Sequence, residues 1–383
     1  MSEKLPPHRN KSVSRLTPAD TPDNTPADTP GNTPADTPAE RRQEQVHTST
    51  LPEDPQSEGT LRGSTEGAEL PHTSVIIPVK NAPGNLERLL HSLAGLNAPP
   101  GGFEIVVCDN GSTDETPEVA RRLGARVLIL PGLSVAGLRN EGAQQSRGKV
   151  LAFVDSDCEV GADWLRVGLA RLTEPGVKAA GAYPSPPEQA TWVQQLFTLR
   201  ERVRPPVHDA QWLPSMNLLV RRQDFQAIGG FDASLKTCED VDFCYRLRAS
   251  GGVIRWDSSI AVVHHGEPES LRRLFQKERW HGRDNYRGVL RHGLRWEELP
   301  SLIVPVMVLG SVVLPIGALV LSPVLSPMPA LLTAPLLTLP VGLAVLTGAR
   351  VARAARRWDV LPQLSVIYLV YFSARAAAVV WGG

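Results

Sequence analysis

Between Ser74 and Trp280 the apolar residues keep two alternating rhythms. Ser74-Val-Ile-Ile-Pro78-Val79, Phe103-Glu-Ile-Val-Val-Cys108, Arg126-Val-Leu-Ile-Leu130 and Lys149-Val-Leu-Ala-Phe-Val154 are short β-forming runs bounded by charged or turn-forming residues, the pattern of buried strands. Between them, Leu86, Leu89, Leu90 and Leu93 recur at helical spacing, and residues 114–123 and 134–146 read as helices. Strands alternating with helices predict an α/β fold with a mostly parallel, doubly wound sheet, right-handed crossovers and ligands at the carboxyl ends of the strands. Gly252–Trp256 and Ile260–Val263 are strand-like. A helix follows Thr237, its predicted N-cap, with Val241, Cys244 and Tyr245 on its buried side.

Outside that region the rhythm disappears, in opposite ways at the two ends. Residues 1–70 are polar and repeat Thr-Pro-Ala-Asp-Thr-Pro; such a segment cannot bury enough surface to offset its ordering entropy and is expected to be disordered. It lacks the apolar core of a signal peptide. Residues 71–298 form the expected α/β domain. Residues 299–383 form a membrane region, because no charged side chain occurs between Glu298 and Arg350. Leu299–Leu321 and Leu331–Gly348 are long enough to span, with Pro305, Pro315, Pro335 and Pro340 as expected kinks. Leu361–Trp381 is a third candidate; its Arg375 implies either a helix partner or an interfacial position. Arg287, Arg291 and Arg295 precede the first span, and Arg350, Arg353, Arg356 and Arg357 follow the second. The positive-inside tendency then predicts a multi-pass protein of the cell membrane, with the α/β domain cytoplasmic and Ser322–Pro329 as an outer loop.

Composition removes some partners. The 383-residue chain has 40 Lys plus Arg against 40 Asp plus Glu, and no basic patch interleaved with aromatics, which argues against nucleic acid. Cys108, Cys158, Cys238 and Cys244 have neither metal-ligand nor disulfide-framework spacing, so they are expected as small buried hydrophobes in a reducing compartment.

The candidate chemistry lies where strands end. Asp155-Ser-Asp157 closes an apolar run; two carboxylates on the ligand-binding rim suit a hard divalent cation, although the same residues also make ordinary turns. Asp109-Asn-Gly-Ser112-Thr-Asp114 closes another, and Asp109 there can accept hydrogen bonds from a base or ribose, while Thr113 or Asp114 equally fits a helix cap. Glu239, Asp240 and Asp242 crowd a helix start. Thr237-x-x-Asp240 is a capping-box pattern, but three acids exceed what a cap needs, and Asp240 could serve as a general base. Adjacent His264 and His265 point opposite ways after a strand, so at most one can complete an aspartate-based metal site. Gln276-Lys-Glu-Arg279-Trp280 fits a polar helix near a membrane surface as well as a binding element.

Taken together and in order, these residues resemble family 2 glycosyltransferases, nucleotide-sugar-dependent enzymes with the GT-A fold. The resemblance covers about Ser74–Trp280 and rests on Val75-Ile-Ile-Pro78-Val79-Lys-Asn81, Asp109–Asp114, Arg139-Asn140, Asp155-Ser-Asp157, Gly229-Gly230-Phe231-Asp232, Glu239-Asp240 and the strand ending in His264. It implies a nucleoside-diphosphate sugar held by Pro78, Asn81, Asp109, Ser112, Arg139, Asn140 and Asp155. It implies Mg²⁺ or Mn²⁺ at Asp157 with His264 or His265, and Asp240 as the base in a direct, inverting transfer. Acceptor contacts would come from Asn217, Gly229, Gly230, Phe231, Glu239, Gln276, Arg279 and Trp280. Gln276-x-x-Arg279-Trp280 looks like a motif of processive members, but no membrane helices precede the domain here, which favours single transfer; a lipid-linked or membrane-resident acceptor is expected. Lys80 stands where many relatives have Tyr, which leaves the base preference open. A processive polysaccharide synthase and a non-catalytic nucleotide-sugar-binding protein are the competing readings. A nucleotidyltransferase would need a basic, Gly-rich motif that residues 71–90 lack.

Overall fold

Eight of the ten described strands meet in one mixed sheet. The computed structural model describes residues 72–97, 99, 101–283, 299–325 and 328–381; the Thr/Pro-rich tail and Arg287, Arg291 and Arg295 lie outside them. In chain order the α/β part runs β1 (Thr73–Val79), α1 (Pro83–Ala94), β2 (Phe103–Asp109), α2 (Thr116–Arg122), β3 (Arg126–Ile129), α3 (Val135–Gln145), β4 (Val150–Val154) and β5 (Cys158–Val160). It continues with α4 (Trp164–Leu172), β6 (Val177–Gly181), α5 (Trp192–Phe197), α6 (Leu199–Arg202), β7 (Val207–Asp209), β8 (Asn217–Arg221) and α7 (Arg222–Ala227). It closes with α8 (Glu239–Ala249), β9 (Val253–Asp257), β10 (Val262–His264) and α9 (Leu271–His281).

The sheet order is β3-β2-β1-β4-β8-β6-β9-β7. Strands β3, β2, β1 and β4 run parallel, as the alternation predicts. β8 is antiparallel to both β4 and β6, and β7 closes the far edge antiparallel to β9. The register pairs Val79 with Asp109, so the loops after β1 and β2 leave the sheet side by side. A separate antiparallel ribbon pairs β5 with β10 and sets His264 opposite Cys158.

Alternate residues of each strand bury opposite faces. Val75 and Ile77 pack with Leu86, Leu89, Leu93 and Trp164 on one side; Ile76 and Phe153 pack with Phe225, Phe231 and Phe243 on the other. The periodic leucines are therefore the buried stripe of α1. Ser134 caps α3, accepting from the Gly137 amide. The expected Thr237 cap of α8 is corrected. The N-cap is Cys238, held left-handed at φ 63° with no side-chain cap, and the helix begins at Glu239. Asp114 likewise lies ahead of α2, whose N-cap is Glu115; its Oδ1 accepts from the Thr116 amide and hydroxyl.

The apolar region forms α10 (Leu299–Leu325), α11 (Met328–Thr333), a 3₁₀ segment over Ala334–Thr338, α12 (Leu339–Ala355), a short 3₁₀ turn at Trp358–Val360, and α13 (Leu361–Trp381). Three helical stretches, Leu299–Ser322, Leu331–Ala355 and Trp358–Val380, are long and apolar enough to cross a membrane. Two expectations change here. Residues 322–325 and 328–329 are helical rather than an outer loop. Pro335 and Pro340 stand at the starts of new helical segments instead of inside one, because a proline lacks an amide that the first turn does not use.

These helices pack directly on the α/β part. Leu199 of α6 joins Ala344, Val351, Leu364 and Tyr368, and Val193 of α5 and Leu274 of α9 join Ile367. The described residues accordingly belong to one compact unit.

Candidate active site

The rim of the sheet is built from loops that interlock through short polar side chains. Asp109 ends β2 fully buried and accepts from the Ser112 amide at 2.7 Å and its hydroxyl at 2.5 Å. The Ser112 hydroxyl in turn accepts from the Asn81 amide at 2.8 Å, and Asn81 Oδ1 accepts from the Thr113 amide at 2.9 Å. Asn81 adopts φ 48°, a conformation asparagine tolerates better than most side chains. Pro78 lies within β1, beside Cys108 of β2. Both Asp109 carboxylate oxygens are thus engaged in shaping the β1 and β2 loops, which Asn81 and Ser112 link together.

Asp155 follows β4 and meets a cation from α3. The Arg139 guanidinium, 2 % exposed, donates to Asp155 Oδ1 at 2.5 Å and to Glu239 Oε1 at 2.9 Å. One planar fork thereby ties the end of β4 to the start of α8, 100 residues apart from Arg139. Ser215 also donates to Glu239, at 3.3 Å. Asp240 comes next and accepts from the Val241 amide at 2.8 Å. Burial, reinforced by the neighbouring Glu239 charge and opposed by Arg139, raises the Asp240 carboxyl to about 7. A carboxylate poised there matches the demand on a general base near neutral pH.

Asp157 engages a different element. His264 Nε2 lies 3.2 Å from Asp157 Oδ2, and His264 Nδ1 lies 3.0 Å from Glu267 Oε1. Burial disfavours the charged imidazole, but the bonds to Asp157 and Glu267 outweigh it and take His264 to about 9. Asp157 is half-buried, which opposes its ionisation, yet the His264 contact holds its carboxyl below the ordinary range. Glu267 is drawn down to about 2 despite its burial, by His264 and Lys277. His265 turns away to Glu159, 3.1 Å from its Oε2, so His264 is the histidine that joins the aspartates.

Carboxylate and imidazole donors about 3 Å apart suit adjacent ligands of one small divalent cation with bonds of about 2.1 Å. Asp157, Cys158 and His264 each offer a donor atom, all within 4.8 Å of one another. Cys158 is a poor third ligand, since burial and the nearby Asp155 and Asp157 charges push its thiol well up and keep it protonated. Gly266 supports the fit. A Cβ there would strike the Asp157 carboxylate and lie 2.8 Å from His264 Nε2, so the backbone passes where no side chain is accommodated.

Other expected ligand contacts have structural partners. Asn140 exchanges hydrogen bonds with the Phe231 backbone, donating at 2.8 Å and accepting at 2.9 Å. Phe231 sits in the aromatic cluster, its ring centroid 4.6 Å from that of Phe243. Gly230, at φ 70°, leaves room for Asn140 Oδ1, 2.7 Å from where a Cβ would be; Gly229 faces open space. Asn217 is fully buried, accepting from Trp164 Nε1 and donating to the Ala182 and Ile260 carbonyls. Asn217 and Phe231, expected as acceptor contacts, are both buried, Asn217 among these hydrogen bonds and Phe231 in the aromatic cluster. Gln276 and Trp280 are exposed on α9 and Arg279 is half-buried.

Glu267, Lys277, Glu278 and Arg375 were not anticipated as a group. The acid three residues beyond His264 was a readable signal; the pairing of Glu278 with Arg375, 97 residues later, was not.

Residues 74–228 match the model of the glycosyl transferase family 2. The chain is 28% identical over 220 residues to glycosyltransferase AglE of Haloferax volcanii, covering 54% of this chain and 72% of that protein. It is 27% identical over 296 residues to the pre-mycofactocin glycosyltransferase of Mycobacterium tuberculosis, covering 74% of this chain but only 58% of that one. In three dimensions it resembles a mannosyltransferase from Pyrobaculum calidifontis solved with GDP-Man and Mn²⁺, at TM-score 0.51 and 17% identity over 80% of this chain and 87% of the other. That likeness supports the GT-A fold, a mostly parallel sheet flanked by helices.

Proposed function

The chain belongs to glycosyltransferase family 2, and from that premise we propose that it moves a sugar from a nucleoside-diphosphate sugar to an acceptor hydroxyl in a single, inverting transfer. The observation that supports this reading is the Arg139 bridge, which ties Asp155 at the end of β4 to Glu239, the neighbour of Asp240 at the start of α8. The donor's nucleoside would rest against the loops shaped by Asn81, Asp109 and Ser112, and its ribose and diphosphate would approach Asp155. Mg²⁺ or Mn²⁺ at Asp157 and His264, when bound, would offset the charge that develops on the departing diphosphate. Asp240 would take the proton of the acceptor hydroxyl as that oxygen attacks the anomeric carbon from the face opposite the leaving group. No side chain need bond to the sugar.

The acceptor is proposed to be membrane-resident. Helix α9, which carries Gln276, Arg279 and Trp280, packs through Leu274 on Ile367 of α13, so the helix that bears these side chains lies against an apolar, span-length helix. Arg350, Arg353, Arg356 and Arg357 gather at the end of α12 and the turn after it. By the positive-inside tendency they favour a multi-pass arrangement with the α/β part at the cytoplasmic face.

The test is release of nucleoside diphosphate by the purified full chain from a panel of donors, with a membrane lipid extract and Mn²⁺ or Mg²⁺. Asp240→Asn should abolish release while donor binding persists. Donor binding without release from the unaltered chain would support a non-catalytic binding protein, and products carrying many added sugars would support a processive synthase.

A further inference from the structure

We infer that Glu267 is a positioning residue for the cation site: it holds the proton of His264 on Nδ1 and so leaves Nε2 free to face Asp157 and a divalent metal. This rests on the proposed metal role of Asp157 and His264. The argument begins with the imidazole, which as a neutral ligand carries one N–H and one lone pair. Both of its nitrogens face carboxylates, Nδ1 at 3.0 Å from Glu267 and Nε2 at 3.2 Å from Asp157. Two neutral tautomers are therefore available, and they are opposite in consequence. With the proton on Nε2, the ring donates to Asp157 and its lone pair confronts Glu267, so the metal position is blocked. With the proton on Nδ1, the ring donates to Glu267, and Nε2 and Asp157 present two lone pairs to the same point. Held in that tautomer, His264 and Asp157 would be the residues to hold a divalent cation, with Glu267 behind the ring.

Glu267 is built to favour the second arrangement. Its side chain is completely buried, so water does not compete for the Nδ1 proton. Its other oxygen, Oε2, takes Lys277 Nζ at 2.9 Å, and Tyr183 Oη lies 3.3 Å from Oε1. The Glu267 backbone is also fixed, its carbonyl accepting from Gln194 Nε2 at 3.0 Å. Asp157 is 31% exposed by contrast and free to exchange its proton donor for a metal. A carboxylate behind a ligating histidine fixes ring orientation and tautomer. Lys277 belongs to α9, so the helix bearing Trp280 also steadies the cation site from behind.

The experiment measures Mn²⁺ alone binding to the purified full chain in detergent, by the electron paramagnetic resonance signal of the free ion, with Mg²⁺ affinity obtained by competition. Glu267→Gln should raise the Mn²⁺ dissociation constant about tenfold or more, and should raise that of Mg²⁺ less, because an imidazole nitrogen matters more to Mn²⁺ than to the harder ion. A merely structural loss would weaken both alike and would overturn the inference. So would a folded Glu267→Gln protein that binds Mn²⁺ within twofold of the unaltered chain while His264→Ala has lost it. Unchanged Mn²⁺ binding in both His264→Ala and Asp157→Ala would remove the metal site itself, and this inference with it. Should Glu267→Gln fail to fold, Lys277→Met loosens Glu267 without touching it; a smaller shift in the same direction supports the role, and no shift overturns it.

Discussion

Arg375, near the end of the last apolar helix, donates through Nε and Nη2 to Glu278 Oε2 at 3.0 and 2.8 Å. The side chains are 18% and 3% exposed, and the guanidinium also lies 5.3 Å from the centre of the Tyr371 ring. An arginine in a span-length helix thus finds its partner on α9 of the α/β part, the first of the two placements its sequence context allowed. Removing one member of a buried pair leaves the other charge uncompensated, a loss of about 3–5 kcal/mol. Arg375→Met should therefore lower thermal stability in detergent by that order, whereas Arg375→Met combined with Glu278→Met should recover most of it. Equal losses in the single and double variants would mean that the pair contributes only through packing.

Asp240 sets an expected pH dependence. A base raised to about 7 is mostly protonated in acid, so kcat/KM should climb tenfold per pH unit below that value and level off above it. Glu239→Gln removes the adjacent like charge and frees Arg139 to face Asp240, and both effects should move the inflection to lower pH. The sign for stability is the reverse of the usual carboxylate. Between an unfolded value near 3.9 and about 7 the folded chain binds more protons at this position, so Asp240's contribution to stability declines as pH rises through that window. A rate profile whose inflection is unmoved by Glu239→Gln would assign the titration to another group.

Gly266 offers a steric test of the cation position. A Cβ at that point would press on the Asp157 carboxylate and on His264 Nε2, 2.8 Å away. Gly266→Ala should raise the metal concentration needed for half-maximal sugar transfer by about tenfold or more, the scale at which disturbing a ligand's surroundings usually acts. Full activity at unchanged metal concentration would show that the pair can spread without consequence.

The local features of this protein were legible in the chain. Alternation of apolar runs with helical leucines fixed the parallel half of the sheet, and the acids that stop those runs, Asp109 and Asp155, lie at its carboxyl ends. Apolar stretches of sufficient length, uncharged in the first two and interrupted by Arg375 in the third, identified the three apolar helices, since burial without water requires that composition whatever the neighbours are. What the chain could not specify was partnership across distance. Asp157 and His264 are 107 positions apart, and the choice of His264 over His265 depends on which face of β10 meets β5. Whether Asn217 and Phe231 touch a ligand or fill the core likewise depends on antiparallel β8 and on the aromatic cluster. Periodicity reports how a segment buries its own side chains; which carboxylate then meets which imidazole or guanidinium is settled only when the packed elements bring them within hydrogen-bonding distance.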